Sequence, residues 1–145
     1  MVDEYEQIRR NMPKSEDRTR VMEGIFGRMK ALAPRVRGVF ADFKESSSPG
    51  KRLMAVAILN MFPSSDQLDW LATRLDPECE RPFVQYYSAV ALLEATMSLP
   101  VSECAALTAA VAKAKRLIGV LEPDSDRGRV LGRAEQELAR KCKPN

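Results

Sequence analysis

A short apolar string occurs twice in this chain, 34 residues apart. Residues 55–59 read Ala-Val-Ala-Ile-Leu and residues 89–93 read Ala-Val-Ala-Leu-Leu. Each copy is followed by a proline and then by serines placed to cap a new helix: Pro63 with Ser64 or Ser65, and Pro100 with Ser102. Near-copies at this spacing are typical of helical repeats. The string therefore predicts stacked helices, and it favours binding over a reaction as the chain's role.

The rest of the chain reads as further helices joined by proline-containing breaks. The apolar positions recur every three or four residues, and no segment alternates with period two, so we expect no sheet. A Ser/Pro/Gly cluster at 45–50 is the clearest break. Pro34 either kinks one helix or separates two, and the sequence favours two. The predicted helices are 3–11, 16–32, 34–44, 49–61, 66–75, 82–98, 102 to about 121, and 126–141, with a turn at Pro123.

The predicted fold class is all-α, a bundle of about seven to eight helices in one domain over 1–145. Residues 1–45 supply the N-terminal helices, and 49–141 form the repeat region. Residues 49–121 resemble HEAT-type repeats, in which an outer helix with paired leucines precedes an Ala-rich inner helix. A tetratricopeptide repeat suits the 34-residue spacing, but its Trp, Gly and Tyr positions are not matched.

A second resemblance covers most of the chain. It is carried by residues 5–13, 18–23, 48–59, 68–71 and 82–84. These segments resemble a helical module of multidomain bacterial proteins, where it accompanies TIR, caspase-like or trypsin-like effector domains in conflict or defence systems. The resemblance implies a signalling or adaptor module that docks a partner protein or effector domain. No effector domain is present in these residues, so none of its activity is carried over.

Composition and the N-terminus predict a cytoplasmic protein. Asp3, Glu4 and Glu6 stand where a signal peptide would be basic and then apolar. The longest apolar run, 53–59, is too short to span a bilayer. Three cysteines at distant positions make a disulfide or a zinc site unexpected, and a reducing cytosol is the simpler environment: Cys79, Cys104 and Cys142.

The sequence offers little catalytic chemistry, and we predict that the chain is not an enzyme and carries no metal or cofactor. It has no histidine, which removes Ser-His and Cys-His catalysis. Cys104 stands near a predicted helix start, which can lower a thiol pKa, although a small buried residue is the simpler interpretation. Acidic residues in the middle of the chain are interpreted as capping and surface groups: Asp66, Asp69, Glu78 and Glu80.

The candidate interaction surface combines aromatic and basic residues: Trp70, Tyr86, Tyr87, Lys51 and Arg52. Trp70 either anchors an interface or packs against other helices, since aromatic side chains do both. Ser48, Gly50, Lys51 and Arg52 cluster at a predicted helix start, whose N–H groups can hold an anion; the alternative is an ordinary helix start with solvated side chains.

Two functional hypotheses follow. The first is a non-catalytic protein-interaction or adaptor module in bacterial signalling or defence. The alternative is a helical repeat that binds nucleic acid through basic residues, of which the C-terminal set is the largest. The sequence favours a solvated face for that set because acids are interspersed and no aromatic residues alternate with it: Lys113, Lys115, Arg116, Arg127, Arg129, Arg133, Arg140, Lys141 and Lys143.

Overall fold

The chain is all-helical. A computed structural model describes residues 1–119 and 125–143, and within those two ranges it contains helices and no strand. The predicted all-α bundle is therefore confirmed. The α-helices are α1 (Val2–Asn11), α2 (Glu16–Val36), α3 (Phe40–Lys44), α4 (Pro49–Met61), α5 (Leu68–Thr73), α6 (Pro82–Ser98), α7 (Cys104–Ile118) and α8 (Asp126–Lys141). Short 3-10 turns cover Arg37–Val39, Ser65–Gln67 and Val101–Glu103.

The chain divides into two compact units, Met1–Met61 and the part from Phe62 onward. Each copy of the apolar string lies in its own unit, the first in α4 and the second in α6. The boundary follows α4, whereas the sequence placed the clearest break before it, at 45–50. The stacking of these helices as HEAT-type repeats stays a prediction.

Helix α4 is the centre of the first unit. Every residue from Leu53 to Leu59 is buried, and α1, α2 and α3 all pack against this helix. A helix that is apolar around its whole circumference needs neighbours on several sides. Ala55 and Ala57 carry only a methyl group, which lets those neighbours approach closely. The first copy of the repeated string is therefore buried in the core of this unit.

Two α-helices span this segment, as predicted, but α2 continues through Pro34, so the predicted boundary between 16–32 and 34–44 is wrong. The helix begins after Ser15, whose hydroxyl accepts a hydrogen bond from the Arg18 N–H at 3.1 Å. It ends at Val36, two residues beyond the proline. Pro34 lies in the last turn, where losing one backbone hydrogen bond removes little of a 21-residue helix. The break falls instead at the 3-10 turn over Arg37–Val39.

The N-terminus of α4 holds a carboxylate from α1. Glu6 Oε1 accepts a hydrogen bond from the Gly50 N–H at 2.6 Å and contacts the Ser48 hydroxyl at 3.3 Å. Ser48 also caps the helix by accepting from the Lys51 N–H at 3.3 Å. A Cβ atom at residue 50 would lie 2.9 Å from the Glu6 carboxylate and 3.1 Å from Val2 Cγ1. Glycine at this position therefore permits the close approach of α1.

The second unit is built around α6 and α7. Helix α5 packs on both, and so does α8. Within the second copy of the string, Ala89, Ala91, Leu92 and Leu93 are buried, while Val90 is half-buried. The inner side of α6 is thus core, as in α4, but its opposite side is not.

Some residues at the ends of the helices in this unit have their usual role, and others do not. Pro82 occupies the first turn of α6, as its fixed φ favours. Gly119, with φ of 66°, follows α7. The predicted serine caps at Ser64, Ser65 and Ser102 are wrong, because 3-10 turns precede α5 and α7 and no serine side chain caps them. Leu121 and the predicted turn at Pro123 lie outside the described residues.

Replacing Glu6 with alanine should lower the free energy of unfolding by about 1–2 kcal/mol, the usual cost of losing a helix N-cap. The loss arises because the Gly50 N–H is left without its carboxylate acceptor. Chemical denaturation measures it. Glu4→Ala is the matched control, since Glu4 lies in the same helix and makes only an exposed ion pair with Arg28, worth up to about 1 kcal/mol. Equal losses in the two variants would contradict this role for Glu6.

Candidate interaction surface

Lys51 and Arg52 lie in the first turn of α4, and the anion site proposed for them is filled by the chain itself. The Glu6 carboxylate occupies the helix N-terminus that an external anion would need. Lys51 is exposed. The Arg52 guanidinium donates to the Ser46 carbonyl at 3.1 Å and so braces the preceding turn. The structure therefore shows a helix start capped within the molecule, which is neither of the two readings made from the sequence.

Trp70 is half-buried on α5 and belongs to a small polar cluster. The Arg74 guanidinium lies over its ring, 4.8 Å from the centroid. The same guanidinium donates to Glu80 Oε2 at 2.8 Å, and the Glu80 side chain is fully buried. Gln85, also buried, donates to the Glu80 backbone carbonyl at 2.6 Å. Trp70 therefore covers a buried ion pair that fixes the connection between α5 and α6.

Burial makes Glu80 an exception among the four acidic residues interpreted as surface groups. A buried carboxylate requires a charged partner, and Arg74 supplies it. Asp69 fits the prediction, since it is exposed and pairs with Lys113 at 2.8 Å. Asp76 accepts a hydrogen bond from the Glu78 N–H at 2.9 Å and organises the turn before Glu80.

Tyr86 and Tyr87 lie in the second turn of α6 and pack with Phe83. The Phe83 and Tyr87 ring centroids are 4.9 Å apart, and those of Tyr86 and Tyr87 are 5.0 Å apart with the rings nearly perpendicular. Edge-to-face contacts of this kind hold aromatic side chains in defined positions. All three side chains are half-buried, so each keeps part of its surface in solvent.

The outer side of α6 carries a row of apolar residues, of which the sequence singled out only Tyr86. Residues four, seven and eleven apart share one face of a helix, which places Tyr86, Val90 and Met97 on the same face as Leu93, which is buried. Met97 is 50% exposed and Val101, just beyond the helix, is 63% exposed, whereas Tyr86 and Val90 are half-buried. We call these four residues the α6 outer row. Exposed apolar side chains arranged together are typical of contact sites.

The second unit contains a disulfide, so the prediction that none would form is wrong. Cys104, the first residue of α7, is bonded to Cys142, directly after α8, with a Cα–Cα distance of 6.0 Å. Their separation of 38 residues gave no sign of this pairing, because only the packing of α7 against α8 brings the two helix ends together. Cys104 is half-buried and bonded, which corrects its interpretation as a buried free thiol.

Cys79, the odd cysteine, is free and exposed. Loss of hydration, with the nearby Asp76 carboxylate, raises the pKa of its thiol. A raised pKa leaves less thiolate at neutral pH, which is the opposite of what a nucleophile needs.

The C-terminal basic residues are largely engaged within the unit. Lys115 pairs with Glu135 at 2.8 Å. Arg129 and Arg140 pair with the acids three residues before them on α8, Asp126 and Glu137. Lys141 donates to the backbone carbonyls of Thr96 and Leu99 at the end of α6. Their arrangement is that of helix surface pairs and a C-terminal cap.

Comparisons with protein-family models, curated proteins and solved structures found no match. Across residues 1–119 and 125–143, no group of three or more metal-ligating side chains is close enough to hold an ion. Over the same ranges, no helix is both long and apolar enough to cross a membrane.

Removing the Glu80 carboxylate should destabilise the protein strongly. In Glu80→Ala the Arg74 guanidinium, whose side chain is only 12% exposed, loses its buried partner, and breaking such a pair costs about 3–5 kcal/mol. Thermal or urea unfolding measures the effect. Glu78→Ala, two residues away and exposed, should change stability by less than about 0.5 kcal/mol. A small loss of stability in Glu80→Ala would contradict this prediction, because it would mean that water solvates the Arg74–Glu80 ion pair.

Proposed function

We propose that this chain is a non-catalytic protein-interaction module of the adaptor type. It binds another protein or an effector domain through the α6 outer row, and it works in the cytoplasm in bacterial signalling or defence. The single observation that carries the interaction role is the outer row itself. The opposite side of the same helix is core, so the helix backbone is fixed, while Met97 is exposed and Tyr86 and Val90 keep part of their surface in solvent.

The chemistry of the row suits an apolar partner surface. Tyrosine and methionine are enriched at interface cores, and tyrosine is a frequent hot spot because it buries a large area with few rotatable bonds. Tyr86 is held edge-on against Tyr87, which lowers the entropy that binding would cost. Met97 adds an adaptable side chain that fits irregular surfaces.

The polar groups that might serve chemistry already have structural roles, which also supports the proposal. Glu6 caps α4, Glu80 neutralises Arg74, and Asp69 pairs with Lys113. The assignment to signalling or defence rests on the sequence resemblance alone.

If the chain binds nucleic acid, the distribution of charge favours the first unit over the C-terminal basic residues. The first unit holds 12 basic and 8 acidic residues, and the second holds 11 and 12. The positive surplus thus lies in the first unit and not in the C-terminal set. Contacts to phosphate would make binding fall steeply with salt, whereas apolar docking on α6 would be nearly independent of it.

Met97→Glu should abolish binding of the partner, because a carboxylate would be desolvated at the centre of an apolar contact. Quantitative affinity purification from the native host, followed by measurement of the dissociation constant for the protein recovered, tests this; the expected weakening is at least tenfold, or about 1.4 kcal/mol. Val21→Glu is the control, since Val21 is similarly exposed on α2. Unchanged binding in Met97→Glu with loss in Val21→Glu would overturn the proposed surface.

A salt titration of the same complex separates the two hypotheses. The interaction module predicts that affinity changes little between low and high salt. A steep fall in affinity, together with recovery of nucleic acid, would favour the alternative.

A further inference from the structure

Helix α8 packs on α6 and α7 through one apolar stripe. Of its 16 residues, three are buried, Leu131, Ala134 and Leu138. The remainder is strongly polar, with exposed ion pairs along its surface. Two further attachments lie at its C-terminal end. One is the Lys141 ammonium on the carbonyls that end α6, and the other is the disulfide.

The disulfide joins the N-terminal end of α7 to the C-terminal end of α8. Cys104 is the first residue of α7 and Cys142 directly follows α8. The bond therefore holds the C-terminal end of α8 next to the turn that connects α6 and α7. Both cysteines are half-buried rather than enclosed. Lys141, the neighbour of Cys142, is fixed to the same turn and so positions the second sulfur.

The bond and the apolar contacts of α8 contribute effects of similar order. Closing a loop of 38 residues stabilises the folded unit against unfolding by roughly a thousandfold when only the chain entropy is counted. Burial of two leucines and one alanine contributes an effect of similar order. The bond therefore adds substantially to what keeps α8 in place.

We propose that Cys104 and Cys142 form a reversible redox clasp on α8. When the bond is formed, α8 stays docked on α6 and α7. When it is reduced, the C-terminal part of α8 opens and exposes the surface of α6 and α7 beneath it. In a reducing cytosol the clasp is open at rest and closes in the presence of a peroxide-class oxidant.

The chemistry balances in both directions. For opening, a thiolate of a dithiol reductant attacks one sulfur of the bond, and the other sulfur leaves as a thiolate. The second thiol of the reductant then attacks the mixed disulfide and releases the first cysteine. The reductant becomes a disulfide and the protein gains two thiols. For closing, hydrogen peroxide oxidises one thiol, which reacts as its thiolate, to a sulfenic acid, and the proton of that thiol leaves in the water released. The second thiol then attacks that sulfur, forming the disulfide and a second water.

The test is amide hydrogen exchange of α8 in a Cys79→Ser background, so that only the pair can react. Reduction with dithiothreitol should lower the protection of residues 126–141 by roughly 100- to 1000-fold, while α2 (Glu16–Val36) stays unchanged. Hydrogen peroxide should restore protection, and peptide mapping should then show the Cys104–Cys142 bond. A Cys104→Ser, Cys142→Ser variant should match the reduced protein and ignore both reagents.

Three results would overturn the clasp. One is α8 protection that is the same with the bond formed and reduced. Another is oxidised protein in which no Cys104–Cys142 peptide is found. The third is a bond that persists in native protein in a glutathione buffer at the reduced-to-oxidised ratio of cytosol, because such a bond is a permanent brace.

Discussion

Burial of the Ala-rich helical string is the constraint on which the rest of this structure depends. In α4 the seven residues from Leu53 to Leu59 are all buried, so α1, α2 and α3 must surround that helix. Alanine at alternate positions keeps the surrounding helices close, and close packing is what makes apolar burial effective. The polar features of the first unit follow from this arrangement. Glu6, for example, reaches the start of α4 because Val2 and Gly50 allow α1 to lie against it.

The second copy of the string is used differently, and the difference provides the candidate surface. In α6 the alanines and leucines face the core, while Val90, in the same string, is half-buried. Tyr86 and Met97 extend that outer side in both directions along the helix. One helix is thus core on one side and carries the candidate contact surface on the other. A rigid backbone under an exposed apolar row favours binding, because little order has to be gained when a partner docks.

What the sequence predicts correctly is local. Ser15 and Pro82 start their helices through chemistry within one turn, and the apolar period of α4 determines its burial. The missed features join residues far apart or depend on exposure. Glu6 caps a helix 44 residues away, Glu80 is buried only because Arg74 reaches it, and Cys104 meets Cys142 through the packing of α7 on α8. Met97 follows the buried Leu93 by four positions, the spacing of a shared helix face, yet it is 50% exposed. The Pro34 prediction failed because a proline near the end of a long helix removes only one of many hydrogen bonds.

The most direct measurement of the central claim is photo-crosslinking in the native host from an aromatic photoreactive residue placed at position 97. The account predicts a covalent adduct with one protein partner, lost when Tyr86 is also changed to Glu, and no adduct from the same residue at position 21. No adduct from position 97, with an adduct from position 21 or with nucleic acid attached instead, would contradict it.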